Sequence, residues 1–216
     1  ETTKNITIMD YYLHGTFSIG ASDTCDFNTF AEAIDTLDQC ALDGPVTFRV
    51  DPGSYEEQIT IKEYPGNDQY QVIFEGKTGD STDVVLTSSG ATLQFYESEN
   101  SKMVRNVVFR NMTIDSDGGT AVNFRERIKN IRLENNILSS AQSDQNIIEV
   151  KGSGEKDSIL IQNNHITGGK TGVNVVDFWV EIKNLLILNN RFEGQSDNGV
   201  YFNEATAFEH VVVTNN

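Results

Sequence analysis

Five side chains carry chemistry that could act on a sugar: Tyr96, Arg125, Glu149, Lys151 and Tyr201. β-Elimination from a uronate needs a base, which Lys or Arg can supply, and cations that neutralise the uronate carboxylate. Arg125 and Lys151 are the cations, Glu149 is a carboxylate beside them, and the tyrosines offer ring faces for stacking. The plainer reading of these residues is a solvated strand face. Trp179 is a further candidate: exposed, it stacks on a sugar ring; buried, it covers the flank of the structure. Asp115 and Asp117, in the run Asp115-Ser116-Asp117-Gly118-Gly119, combine oxygen ligands with a Gly turn. They suggest a loose Ca²⁺ site, the one cofactor this sequence brings to mind. The run is shorter than an EF-hand loop and lacks its closing Glu, so an ordinary acidic turn is the default. His14, His165 and His210 are scattered, and they support neither a transition-metal site nor a Ser-His-Asp arrangement.

Bulk properties narrow the partners. The formal net charge is −16 over 216 residues. Nucleic acid recognition needs a basic footprint, so this balance argues against it and disfavours anionic membranes. No run of about 18 apolar residues is present, so no membrane span is expected. High negative charge with many Asn, Ser, Thr and Gly suits an extracellular surface. Cys25 and Cys40 flank a segment, Asp26 to Leu37, that reads as a helix. Twelve residues at about 1.5 Å each would hold its ends roughly 18 Å apart, and a disulfide needs Cα atoms within about 7 Å. The two cysteines are therefore expected to be unpaired.

What positions these residues is a repeat. Five segments read apolar, any, apolar, any, Asn, ending at Asn111, Asn135, Asn163, Asn189 and Asn215, with periods of 24, 28, 26 and 26. Three residues after the first four come Ile114, Leu138, Ile166 and Phe192. A polar loop follows, then a second alternating strand carrying Val122/Phe124, Ile148/Val150, Val173/Val175 and Val200/Phe202. A further column holds Val104, Ile128, Ile182 and Phe208, interrupted by Lys156. Three short strands in each repeat of this length make one coil, with equivalent strands stacked in parallel about 4.8 Å apart. The five repeat asparagines then stack as a ladder at a tight turn, with Asn106, Asn130 and Asn184 as a weaker second column. Arg125 and Lys151 fall on adjacent coils. Near the start, Phe30, Ala31, Ile34, Leu37 and Ala41 form a helical stripe, with Asp26 as N-cap and Gly44-Pro45 as its end. The first strand is read as Val46 to Val50.

The expectation is an all-β chain, a right-handed parallel β-helix solenoid with an N-terminal capping helix. Residues 1–45 form the cap with one helix, and 46–216 the β-helix, incomplete at its C-terminal end. The open last repeat predicts further domains of the same polypeptide.

The chain resembles the pectin lyase-like superfamily of right-handed β-helices. Its front half is similar to pectinesterases through DFNTFAEAIDTL at 26, FRVDPGSYEEQITI at 48, VIFEGKTGDSTDVVLT at 72 and NVVFRNMTI at 106. It also resembles β-helix domains of large secreted bacterial surface proteins, through GTFSIG at 15 and GPVTFRV at 44. The resemblance implies that the working face is the strand bearing Val122 and Phe124, whose outward residues include the five candidates. It does not carry the esterase chemistry. Gly172 stands where the nucleophilic carboxylate would be, Gln142-Ser143-Asp144-Gln145 only loosely echoes a Gln-Asp-Thr-Leu signature, and no Arg-Pro-Trp occurs.

Two functions remain open. The first is a non-catalytic extracellular or cell-surface module, of bacterial origin by resemblance, acting as a shaft or as a glycan or adhesion module. The alternative is a polysaccharide-active lyase or glycoside hydrolase with its site on the outward face of the β-helix. The expected partner in either case is a polysaccharide or cell-surface glycan, with no nucleic acid and no membrane insertion.

Overall fold

The computed structural model describes residues 12–99, 101–152, 154–176, 181–202 and 207–216. The chain coils as a parallel β-helix, each coil giving a strand to each of three parallel sheets. Sheet 1 runs through Tyr12–Ile19, Ala41–Val50, Val72–Gly76, Val104–Arg110, Ile128–Glu134, Lys156–Gln162 and Glu181–Leu188, then Ala207–Glu209 and Val212–Thr214. Sheet 2 holds Gly53–Glu56, Val84–Ser88, Thr113–Ser116, Ile137–Ser140, His165–Gly168 and Arg191–Glu193. Sheet 3 holds Ile59–Ile61, Leu93–Phe95, Val122–Phe124, Ile148–Val150, Thr171–Val175 and Asn198–Phe202.

The alternation that marks each strand sends one face inward, and parallel register stacks like residues on like. Val46, Val72, Val107, Ile131, Ile159 and Leu185 form one inward column of sheet 1. In the neighbouring column the rings of Phe48 and Phe74 stack at 4.8 Å, and those of Phe74 and Phe109 at 4.7 Å. Sheet 3 repeats the device with Phe95 over Phe124 at 4.9 Å. Full burial of each such side chain contributes about 1.5–3 kcal/mol, so the core is a sum over coils rather than one central cluster.

The helix spans Phe30–Gln39 and buries Phe30, Ala33, Ile34 and Leu37. Ala31, part of the expected stripe, is exposed. Phe30 meets Tyr55 edge-on at 5.3 Å and stacks on Phe74, the middle ring of the sheet 1 stack, at 5.9 Å, while Phe17 and Phe27 lie against Phe48, its N-terminal ring, at 6.0 and 5.8 Å. The N-cap is Thr29, not Asp26: Thr29 Oγ1 accepts the Glu32 N–H at 3.1 Å. Asp26 instead accepts from the backbone N–H and hydroxyl of Ser18, both at 2.8 Å. Glu57 accepts two further N–H groups of the first turn, from Phe30 at 3.1 Å and Ala31 at 2.9 Å.

Two boundaries differ from expectation. A strand, Tyr12–Ile19, precedes the helix and pairs in parallel with Ala41–Val50. Its signal is weak in sequence because the register shifts between Leu13 and Gly15, where Gly15 takes φ 104°. The strand after the helix begins at Ala41, so Gly44-Pro45 lies within it rather than before it. Cys25 and Cys40 are free thiols.

The asparagine ladder is displaced by one residue from its expected place. Asn135, Asn163, Asn189 and Asn215 are exposed and Asn111 half-buried, and all five take a left-handed conformation with φ between 54° and 58°. That conformation turns the corner from sheet 1 to sheet 2, and Asn tolerates it better than most residues. The buried ladder is the next residue along: Asn136, Asn164 and Asn190, continued by Asn216. Asn136 Nδ2 donates to Phe109 O and Asn164 Nδ2 to Leu133 O, each at 2.9 Å. The second column forms in part: Asn130 Nδ2 donates to Asn106 Oδ1 at 2.6 Å, but Ser158 takes the corner on the next coil, and Asn184 Nδ2 donates to Asp157 Oδ1 at 2.8 Å. Lys156 does not interrupt its aliphatic column. It is fully buried in register between Ile128 and Ile182, its ammonium donating to Gly152 O at 2.8 Å and Glu126 O at 3.0 Å.

Candidate functional site

Sheet 3 places the candidate residues through its pleat. With Val122 and Phe124 inward, Asn123 points outward, flanked in register by Gln94 on one side and Glu149 on the other. Glu149 is followed by Asn174, and Asn174 by Tyr201. The residues just after these strands form a second column. Tyr96, Arg125 and Lys151 each donate a backbone N–H to the preceding coil, to Ile61 O, Phe95 O and Phe124 O at 3.0, 2.9 and 2.9 Å. Arg125 and Lys151 are therefore one coil apart, as the repeat required.

The side chains meet in two pairs. The Arg125 guanidinium lies over the Tyr96 ring, 5.7 Å from its centroid. Lys151 Nζ forms an ion pair with Glu149 Oε2. Glu149 Oε1 accepts from Asn146 Nδ2 at 3.3 Å, so its carboxylate is held from two sides. Tyr201 is exposed and stands two coils from Glu149, about 10 Å along the axis at the usual strand spacing. Trp179 lies outside the described residues.

Asn123 and Asn174 gave no sequence signal beyond their outward place. Both are buried, and Asn123 Oδ1 makes no hydrogen bond. Along the outward positions at Gln94, Asn123, Glu149, Asn174 and Tyr201 there is a single carboxylate, Glu149, already paired with Lys151. Gly172, at the position where the pectinesterase pattern has its nucleophile, has no room for a side chain. A Cβ there would lie 2.5 Å from Gly199 O and from the Phe192 ring.

Asp115 and Asp117 do not converge. Asp115 Oδ1 accepts from Ser139 Oγ on the next coil, while Asp117 sits in the exposed turn, its N–H donating to Ser88 O at 2.9 Å. Among the described residues no three His, Cys, Asp or Glu side chains gather as a metal site. No described helix is long and apolar enough to cross a membrane.

The coils and sheets define a parallel β-helix. No protein-family model matches the chain, and no curated protein sequence matches it. Among solved structures it is similar to pectin methylesterase from Aspergillus niger. The deglycosylated form aligns at 13% identity and a TM-score of 0.46, covering 94% of this chain and 91% of that one. The penultimately deglycosylated form aligns at 13% identity and a TM-score of 0.45 with the same coverage. At this identity the likeness concerns the fold alone.

Proposed function

We propose that the chain is a non-catalytic extracellular β-helix module of a bacterial surface or secreted protein, presenting a glycan-recognition face on sheet 3. The observation that carries this reading is how the candidate side chains are engaged. Lys151 is ion-paired with Glu149, and Arg125 rests on Tyr96. An amine in an ion pair is not a free base, and hydrolysis by two carboxylates has only one on this row of outward positions. Paired and stacked groups at coil spacing do suit recognition: Tyr96 and Tyr201 offer ring faces, while Arg125 and the row of amides offer donors. The acidic exterior and the resemblance of the first strands to secreted surface domains support an extracellular setting.

The adjacency of Arg125 and Lys151 favours a second reading, a uronate-eliminating lyase, because two cations one coil apart would neutralise a uronate carboxylate. Probing a glycan array with the protein and with Arg125→Ala and Lys151→Ala tests the site. The proposal expects binding that falls at least tenfold in both variants. Binding that survives both would move the site away from this face, with the Phe178-Trp179 segment the next place to look.

A further inference from the structure

A groove lies on a different side of the coil from the sheet 3 face, at the corner where sheet 1 passes into sheet 2. It has a volume of about 490 Å³ and is lined by Gly79, Asp80, Ser81, Asn135, Ile137 and His165, with Asn136 and Asn163 completing it. It is a shallow depression, open to solvent, so a ligand would lie across it rather than be enclosed. Its wall is the loop 77–83, which is firmly built. Thr82 donates its N–H and hydroxyl to Asp80 Oδ1 at 2.9 and 2.8 Å, the Asp80 N–H donates to Thr78 Oγ1 at 3.2 Å, and Thr113 Oγ1 donates to Ser81 O at 2.8 Å. The loop therefore needs little ordering to receive a ligand.

We propose that this groove is a binding site for a neutral, hydroxyl-rich saccharide, separate from the face on sheet 3. Several polar groups that line it have hydrogen-bonding capacity left over. The left-handed conformations of Asn135 and Asn163 put both residues on the outside, one coil apart, and within the described residues no hydrogen bond engages their side-chain amides. His165 Nε2 is held by Glu193 Oε2 at 2.9 Å, which fixes the imidazole and, among the described residues, leaves Nδ1 for a ligand. Asp80 keeps its second carboxylate oxygen for a hydroxyl. Amides both donate and accept, as sugar hydroxyls do, and Ile137 with the imidazole ring gives the floor an apolar element. Among the described residues no Lys or Arg lines the groove, and the chain carries a net charge of −16, so an anionic sugar is disfavoured there. With Asp80 the one lining carboxylate among the described residues, the groove does not present the ligand set of a divalent cation.

The experiment is titration with cello-oligosaccharides and chito-oligosaccharides, read by calorimetry and by the side-chain amide NMR signals of Asn135 and Asn163. Oligogalacturonate serves as the anionic comparison. The expected result is that one neutral series shifts both amide signals, and that Asp80→Asn and His165→Ala each weaken its binding at least tenfold. Asp80→Asn keeps an acceptor for Thr82, so its fold is retained, and thermal melting of both variants checks this. Arg125→Ala and Lys151→Ala are measured in parallel. Loss confined to the Asp80 and His165 variants supports the groove. Loss confined to the Arg125 and Lys151 variants, or neutral oligosaccharides that leave the Asn135 and Asn163 signals unmoved, overturns it.

Discussion

The side-chain oxygen of Asn190 accepts the backbone N–H of Asn164, one coil away, at 2.9 Å, and also the Asn164 Nδ2 at 3.0 Å. Asn164 repeats the first contact toward Asn136, whose N–H it receives at 2.9 Å. Each buried side-chain amide thus closes the corner of the coil before it, donating to one backbone carbonyl and accepting one backbone N–H there. Asn164→Leu should destabilise the chain by about 1–3 kcal/mol, because it orphans Leu133 O and the Asn136 N–H. Asn163→Gly should change stability by no more than about 0.5 kcal/mol, since Gly takes the left-handed conformation freely. Denaturant unfolding of the two variants separates them, and equal costs would contradict the assignment of roles.

That one-residue displacement shows what the sequence could and could not say. The repeat, its period and the inward columns follow directly from hydrophobic alternation, so the β-helix was legible. The corners carry adjacent asparagines at 135 and 136, 163 and 164, and 189 and 190, and spacing alone cannot say which of two equally spaced neighbours turns inward. The first corner held the clue: there the pair is Asn111-Met112, and only the inward place, fully buried, would tolerate Met. The strand Tyr12–Ile19 was hidden by its irregular register. The groove beneath the loop 77–83 was hidden for another reason, since it joins Asp80 to residues far along the chain without any periodic pattern.

Lys156 is expected to be structural. Lys156→Ala opens a cavity in an aliphatic column and removes the donor from Gly152 O and Glu126 O. The expected cost is about 2–4 kcal/mol. Thermal or denaturant unfolding checks it, and a neutral substitution would show that water replaces the ammonium.

Acid should weaken the outer face of sheet 1. Burial tends to raise the Glu75 carboxyl, but hydrogen bonds and charge from Arg110 and Arg49 outweigh it and hold the group below its ordinary value. Asp157 is lowered in the same way: burial opposes, while hydrogen bonds from Asn184, Lys129 and Ser158 prevail. A carboxylate with a depressed folded pKa stabilises the fold above its unfolded pKa, and that contribution disappears as pH falls through the folded value. Melting temperature should therefore drop as pH falls below the ordinary carboxylate range of about 4. Glu75→Gln should flatten this acid limb. An unchanged limb would mean that the Arg49–Glu75–Arg110 cluster contributes nothing.

The helix is expected to contribute through Phe30. Phe30→Ala removes a fully buried ring from contact with Tyr55 and Phe74 and should cost about 3–5 kcal/mol. Glu57→Gln should cost about 1 kcal/mol by weakening the charge at the helix N-terminus. Denaturant midpoints of both variants test the cap.

The measurement that bears most directly on the non-catalytic reading is cleavage. The purified protein is incubated with pectin, polygalacturonate and neutral plant and bacterial polysaccharides, with and without Ca²⁺, and products are followed by ultraviolet absorbance and reducing-end release. With Lys151 paired to Glu149 and Gly172 closed against Phe192 and Gly199, the expected result is no product on any substrate. Unsaturated products that absorb in the ultraviolet and disappear in Lys151→Ala would contradict the account and make the sheet 3 face a lyase site.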